Sequence, residues 1–128
     1  MQTKHLDAKG KGQIDYDYQE DVLFFKTKGR EYSESIDLDD VVVDIDQEGY
    51  ITGIQIFEAT KLFKLSKEIL RNIKQMEFNS KGEGKVITIQ LFFISTFRNK
   101  VIAQQGQNII REASSPLTPA EVLCTVAE

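Results

Sequence analysis

Asp44, Asp46 and Glu48 alternate along one short stretch that ends on Gly49. This spacing matches the first, third, fifth and sixth positions of a calcium-binding loop, where oxygen ligands recur at alternate residues and a glycine makes the sharp turn. The closing bidentate glutamate is replaced by Gln55, which removes two carboxylate oxygens and a charge. The flanks also alternate as strands, whereas such a loop sits between helices. The stretch therefore reads as a solvated strand face running into a turn. With Asp37, Asp39 and Asp40, the same carboxylates over Asp37–Glu48 could serve a hard cation or acid–base chemistry. Acid catalysis needs one carboxyl desolvated beside another. Alternation turns these to water, so an enzyme or metal-binding domain built on them stands as the alternative reading.

The remaining chemistry-bearing residues are sparse. A zinc site or imidazole-dependent triad has only His5 and Cys124 to draw on, too few for the three or four ligands zinc takes. Ser33 and Ser35 have no imidazole near them in sequence. Gly82-Glu83-Gly84-Lys85 precedes an apolar strand, whereas a phosphate-binding loop follows a strand and opens a helix. Leu117-Thr118-Pro119-Ala120-Glu121-Val122-Leu123 is similar to the opening of a helix-turn-helix, but the chain reaches Glu128 with no room for a recognition helix. No catalytic, cofactor-binding or metal-ligating residue is assigned, and no cofactor is expected.

The composition bounds what elements can hold such groups. A chain of 128 residues, 41% hydrophobic and 28% charged, is expected to form one domain with a real core. A net charge of -4 opposes a phosphate backbone, so nucleic-acid binding is disfavoured. One cysteine excludes an internal disulfide and fits a reducing compartment. The polar start MQTKHLDAKGKGQ offers no signal-peptide core, and the longest apolar run, Leu91 to Ile94, is far short of a bilayer span. The expected location is cytoplasmic, with no membrane partner.

Residues 1–13 read as a flexible N-terminus. Ile14–Tyr18 and Asp21–Thr27 read as a hairpin, and Tyr32–Leu38 as a half-solvated strand. Val41, Val43 and Ile45 share one face, with Val42, Asp44 and Asp46 opposite. Gly49 suits positive φ in the following turn, and Gly53 marks a bulge or a close backbone approach in the strand Tyr50–Phe57. From Ala59 to about Lys74 the period turns helical, with Leu62, Leu65, Ile69, Ile73 and Met76 on one stripe. Lys61, Lys64, Lys67, Arg71 and Lys74 lie on the other, and Ser66 is a candidate cap at a break. This basic face is the second alternative, a weak nucleic-acid contact, set against a solvated helix face. Asn79–Gly84 reads as a loop, and Lys85–Ser95 as a strand apolar on both faces, which pairs with Val101–Ile110 and wants a second subunit on its outer side. Thr118-Pro119-Ala120-Glu121 reads as the start of a short C-terminal helix.

Asp15-Tyr16-Asp17, Asp21-Val22-Leu23-Phe24-Phe25 and Gly53-Ile54-Gln55-Ile56-Phe57-Glu58-Ala59-Thr60 together carry a resemblance. Over roughly residues 14–62 the chain resembles the bacterial and archaeal family known as domain of unknown function 2283. Gln55 stands where that family favours glutamate, and Thr60 where it favours serine. The resemblance brings no catalytic residues. Members encoded beside small toxin-like proteins make a small protein partner the implied expectation. The resulting reading is an α+β domain: antiparallel β-meander sheets, one amphipathic helix packed on a face, and a short C-terminal helix. Residues 14–62 form the family-like meander, and residues 63–128 add a helix and a second hairpin. The expected function is a non-catalytic protein-binding or regulatory module, antitoxin-like, acting as a homodimer.

Overall fold

Alternation, and not helical periodicity, governs almost the whole chain in the computed structural model, which describes residues 2–127. The N-terminal half gives β1 (Lys4–Ala8), β2 (Gly12–Asp17), β3 (Val22–Thr27), β4 (Tyr32–Asp37), β5 (Val41–Asp46) and β6 (Ile51–Ile56). Two helices follow, α1 (Ala59–Phe63) and α2 (Lys67–Leu70), then the long strands β7 (Ile73–Phe97) and β8 (Lys100–Ala127). Strands β2 to β6 form an antiparallel five-stranded sheet in the order β2-β3-β6-β5-β4. A three-stranded sheet has the order β1-β8-β7, with β1 parallel and β7 antiparallel to β8.

Much of the first half follows its pattern. The β2–β3 hairpin and the β4–β5–β6 meander are present, and Val41, Val43 and Ile45 are buried. Gly49 has φ +91°. Gly53 sits opposite the register shift after Asp44, and a Cβ there would lie 3.0 Å from the Phe25 carbonyl oxygen. Both halves of its expectation therefore hold.

The α+β class is overturned, because the fold is mostly β. The helix expected over Ala59–Lys74 is two fragments of five and four residues. Lys64, at φ 56°, closes α1 in the left-handed region, and the Ser66 hydroxyl caps α2 by accepting from the Ile69 N–H at 3.3 Å. Asn72 turns back onto Glu68 and Ile69, and from Met76 onward Met76, Phe78 and Ser80 are buried alternately. The continuous basic face therefore does not form. Asn79–Gly84, expected as a loop, lies inside β7: Ser80 is buried with its hydroxyl on the Ile51 carbonyl at 2.7 Å, and Gly82 packs against Leu117 and Ile51. A polar residue that is satisfied can be buried, and composition alone does not distinguish the two cases.

The expected C-terminal helix is also absent. Residues through Ala127 belong to β8, so the helix-turn-helix likeness of Leu117–Leu123 falls with it. Ala120, Val122 and Cys124 are buried alternately and pair with β7 on one side and β1 on the other. Two ladders outweigh a local capping signal. Pro119 lies where the β7–β8 register slips, a place that tolerates a missing N–H. Lys4–Ala8, expected to be flexible, are β1. Met1 and Glu128, at the ends of the two expected terminal segments, lie outside the described residues.

The β7–β8 ribbon is too long to run straight across the molecule. It bends at the irregularities around Gly82, Gly84 and Val86, and the Thr96 N–H donates to the Asn72 carbonyl at 3.0 Å. Asn79 and Lys81, before the bend, line one trough of about 460 Å³ with Thr88 and Gln90, after it. The core lies between the sheets: Phe25 stacks on Phe78 at 4.8 Å, and Phe63 of α1 meets Phe93 edge-on at 5.2 Å.

Candidate functional site

The carboxylates of Asp37–Glu48 do not converge on one site: Asp46 and Glu48 share Arg30, and Asp37, Asp40 and Asp44 are engaged elsewhere. Asp46, expected to be solvated, is buried at 4% exposure, covered by Arg30 and by the backbone of the turn that follows it. Its Oδ1 accepts from the Glu48 and Tyr50 N–H groups at 3.0 Å, and its Oδ2 accepts from Arg30 at 3.0 Å. Arg30 also reaches Glu48 at 3.1 Å and, with Lys4, lies near the Tyr50 ring. This is a clasp on the β5–β6 turn. Asp44 accepts from the Ser35 hydroxyl at 2.7 Å, and Asp37 accepts from the Asp39 N–H at 2.9 Å. Asp40 makes a two-pronged pair with Arg111 at 2.6 and 3.2 Å, joining the β4–β5 turn to β8. The hydrogen bonds from Arg111 hold the Asp40 carboxyl below its ordinary range against a smaller upward push from burial. Among the described residues, no three His, Cys, Asp or Glu side chains are grouped to hold a metal ion.

The other candidates are dispersed too. His5, on β1, faces Glu121 at 3.4 Å, while Cys124 is buried. Burial raises the Cys124 thiol. The Ser33 hydroxyl donates to the Ile45 carbonyl. Glu83 of the Gly-Glu-Gly-Lys stretch pairs with Lys81 at 3.3 Å. On the helical fragments, Lys61 pairs with Glu58, Arg71 pairs with Glu68, and Lys67 and Arg71 lie over Tyr18.

A polar node that the sequence reading passed over sits at Asp21. Asp21 follows the β2–β3 turn at φ 57°, and its carbonyl accepts from the Ala59 N–H. Its carboxylate accepts from the Tyr16 hydroxyl at 2.7 Å, the Thr60 hydroxyl at 2.5 Å and the Thr60 N–H at 3.1 Å. Burial alone would raise this carboxyl, but the donors from Thr60 and Tyr16 outweigh it and hold it low. Burial, followed by the bond to Asp21, pushes the Tyr16 phenol up. Asp21 thereby supplies the first turn of α1 with the acceptor that Glu58, its own cap residue, does not. Tyr16 and Asp21 lie in the stretches that carry the family resemblance, and Thr60 stands where the family favours serine, another hydroxyl. That signature fastens a helix to a hairpin.

What the molecule leaves open is the outward side of β7–β8. No charged residue occurs from Val86 to Phe97 or from Val101 to Ile110. Ile87, Ile89, Leu91 and Phe93 fill the core, and the intervening positions face out. Val86, Phe92, Phe97, Val101, Ile102 and Ile110 are exposed, Ile110 at 62%. Thr88, Gln90, Gln104 and Asn108 are the polar residues interleaved with them. The apolar-on-both-faces pattern gave this surface away in the sequence; the bend that folds the ribbon did not show.

A family model described as "Protein of unknown function (DUF2283)" matches residues 13–59, which takes in β2 from Gln13, all of β3 to β6 and the first residue of α1. The chain is 36% identical over 88 residues, 69% of its own length and 72% of the relative's, to a Methanosarcina mazei protein named "Putative hypoxanthine phosphoribosyltransferase". It is 34% identical over 97 residues, 75% of its own length and 84% of the relative's, to uncharacterized protein MJ0789 of Methanocaldococcus jannaschii. No solved structure matches it.

Proposed function

The chain belongs to the DUF2283 family of proteins of unknown function, and from that premise we propose that it is a non-catalytic protein-binding module whose contact surface is the outward side of β7–β8. The observation that carries this reading is the absence of charge from Val86 to Phe97 and Val101 to Ile110, with large apolar side chains exposed between small and amide residues. Depletion of charge around exposed apolar and aromatic side chains marks the centre of a protein interface. The partner is a small protein with an uncharged contact patch and a positive net charge. A chain of net charge -4 draws such a partner in, while the neutral strands make the contact. Neutralising a toxin-like protein is one role of this kind.

Two other chemistries have less support. Acid–base or cation work over Asp37–Glu48 would require carboxylates that are already tied to Arg30, Arg111, Ser35 and backbone N–H groups. Phosphoribosyl transfer, named for the Methanosarcina relative, requires a site for a diphosphate, and a strand opening onto a helix N-terminus is the usual cradle. Here the Gly82–Lys85 stretch runs on within β7.

The test compares three full-length tagged baits in native lysate: wild type, Phe92→Asp with Ile110→Asp, and Asp44→Asn. One small protein should be retained in stoichiometric amount by wild type and Asp44→Asn and lost from the double variant. Equal capture by all three, or loss with Asp44→Asn alone, overturns the reading.

A further inference from the structure

Two troughs lie along β7, each lined by residues from before its bend and from after it. They differ in charge. The larger holds His5, Asp7, Lys81 and Glu121, and both His5 and Lys81 pair with Glu121. Its charges are mixed in sign and largely satisfy one another, so they select no ligand. The smaller, of about 200 Å³, opens beside Phe92 and Ile94, within the neutral surface. Met76 and Val126, which pair across β7 and β8, also line it. Of its eight lining residues, only Glu77 carries a charge. Glu77 is exposed, and among the described residues it takes part in no ion pair. Lys9 and Lys11 flank Gly10, whose N–H donates to the Thr125 hydroxyl opposite Glu77, but neither lysine lines the trough.

We propose that the protein partner sets an aromatic side chain in this smaller trough and a basic group, at the margin of its neutral patch, against Glu77. The proposal deepens the protein-binding reading and rests on it: it names the anchor that the partner brings to the neutral surface. Size, neighbours and charge select this occupant. A cavity of about 150 Å³ holds a benzene ring, so a trough of about 200 Å³ takes one aromatic side chain. Phe92 offers a ring and Met76 a thioether, and both favour an aromatic neighbour over an aliphatic one. Gly106, opposite Phe92 on β8, adds no side chain to cover that ring. The single unpaired carboxylate, on a chain of net charge -4, then favours a cation beside the ring and repels an acid. Aromatic anchors seated in pockets and ringed by near-neutral contacts carry most of the affinity of protein interfaces.

Two small probes with one ring and opposite charges test the trough directly. Full-length protein with labelled methyl groups is titrated with benzylammonium or phenylacetate and followed by NMR. Benzylammonium should shift the Met76, Ile94 and Val126 methyl signals saturably. Phenylacetate should bind about fivefold more weakly, the order of an exposed ion pair. Glu77→Gln should erase that difference. Ala127→Phe, at an exposed position on the rim, should abolish the shifts by filling the trough. Absent shifts, shifts centred elsewhere, or equal binding of the two probes overturn the proposal. Capture from native lysate separates the anchor from the surface around it. Glu77→Lys and Ala127→Phe baits should each retain far less of the small protein that wild type holds. If both retain it fully while Phe92→Asp with Ile110→Asp loses it, the protein-binding reading stands and the anchor falls. If no bait retains a partner, both fall.

Discussion

At Asp21 three hydrogen bonds converge on one carboxylate, and the backbone is held at φ 57°. Asparagine tolerates that backbone region, so Asp21→Asn changes the charge and one acceptor without adding backbone strain. Hydrogen bonds to a charged group are worth about 1.5–3 kcal/mol, and a loss in that range should appear in urea unfolding at neutral pH. The folded carboxyl is held below its unfolded value, so its stabilisation is complete above about pH 4 and disappears as pH falls through the folded value. The gap between wild type and Asp21→Asn should therefore close in acid; a gap constant down to pH 2 would remove the charge from the explanation. Thr60→Ser, which keeps the hydroxyl and gives the residue the family favours, should cost far less than Thr60→Val. Gly49 makes a different demand. At φ +91°, with the Thr118 side chain 2.6 Å from where a Cβ would sit, Gly49→Ala combines left-handed strain with overpacking. Those effects together predict a loss of about 2–4 kcal/mol, measured by the same denaturation.

Strand β1 shows how an element can be decided by a partner that no local signal reveals. Lys4–Ala8 is short and polar, and its mates are Ala120–Cys124 at the far end of the chain. Lys4–Ala8 read locally as part of a frayed arm, yet they pair beside Cys124, which is fully buried. Their removal should lower the melting temperature and turn Cys124 from inert to reactive towards a thiol reagent; unchanged reactivity would mean that β1 contributes nothing to closing the core. The β8 end was harder to read, because Thr118-Pro119-Ala120-Glu121 is a sound capping sequence and Ala120-Val122-Cys124 is too short an alternation to outvote it. Ala59–Lys74 misled for the opposite reason: its apolar residues satisfy a helical stripe until Lys64 turns left-handed. Strand β5 was legible because the parity of Val41, Val43 and Ile45 marked the buried face, and β2 because apolar and acidic residues alternate along it. The neutral β7–β8 surface was legible for the same reason, since a strand apolar at both parities has one face more than the core can take.

On the scale of the whole molecule, the family model and the core divide the chain differently. The matched segment, residues 13–59, contains the five-stranded sheet, but that sheet does not enclose its own apolar face. Leu23, Phe25, Val43, Ile54 and Ile56 are covered from across the sandwich by β7 and β8, and the Phe25–Phe78 stack is one such contact. Arg111 ties the β4–β5 turn to β8, and Ser80 ties β7 to the Ile51 carbonyl, so polar contacts cross the same boundary. Excised as residues 12–63, the sheet would expose a full layer of core side chains, each worth about 1.5–3 kcal/mol of burial, with nothing in the segment to replace that cover. It is therefore expected not to fold as a monomer, giving a collapsed amide spectrum or an oligomer that hides the same face. A dispersed spectrum from a monomeric 12–63 fragment would show that the sheet is self-sufficient and that the ribbon is an appendage. In the intact chain the prediction inverts. Fluorescence, circular dichroism and amide exchange in both sheets should lose structure in one transition, because the two sheets have a single core in common.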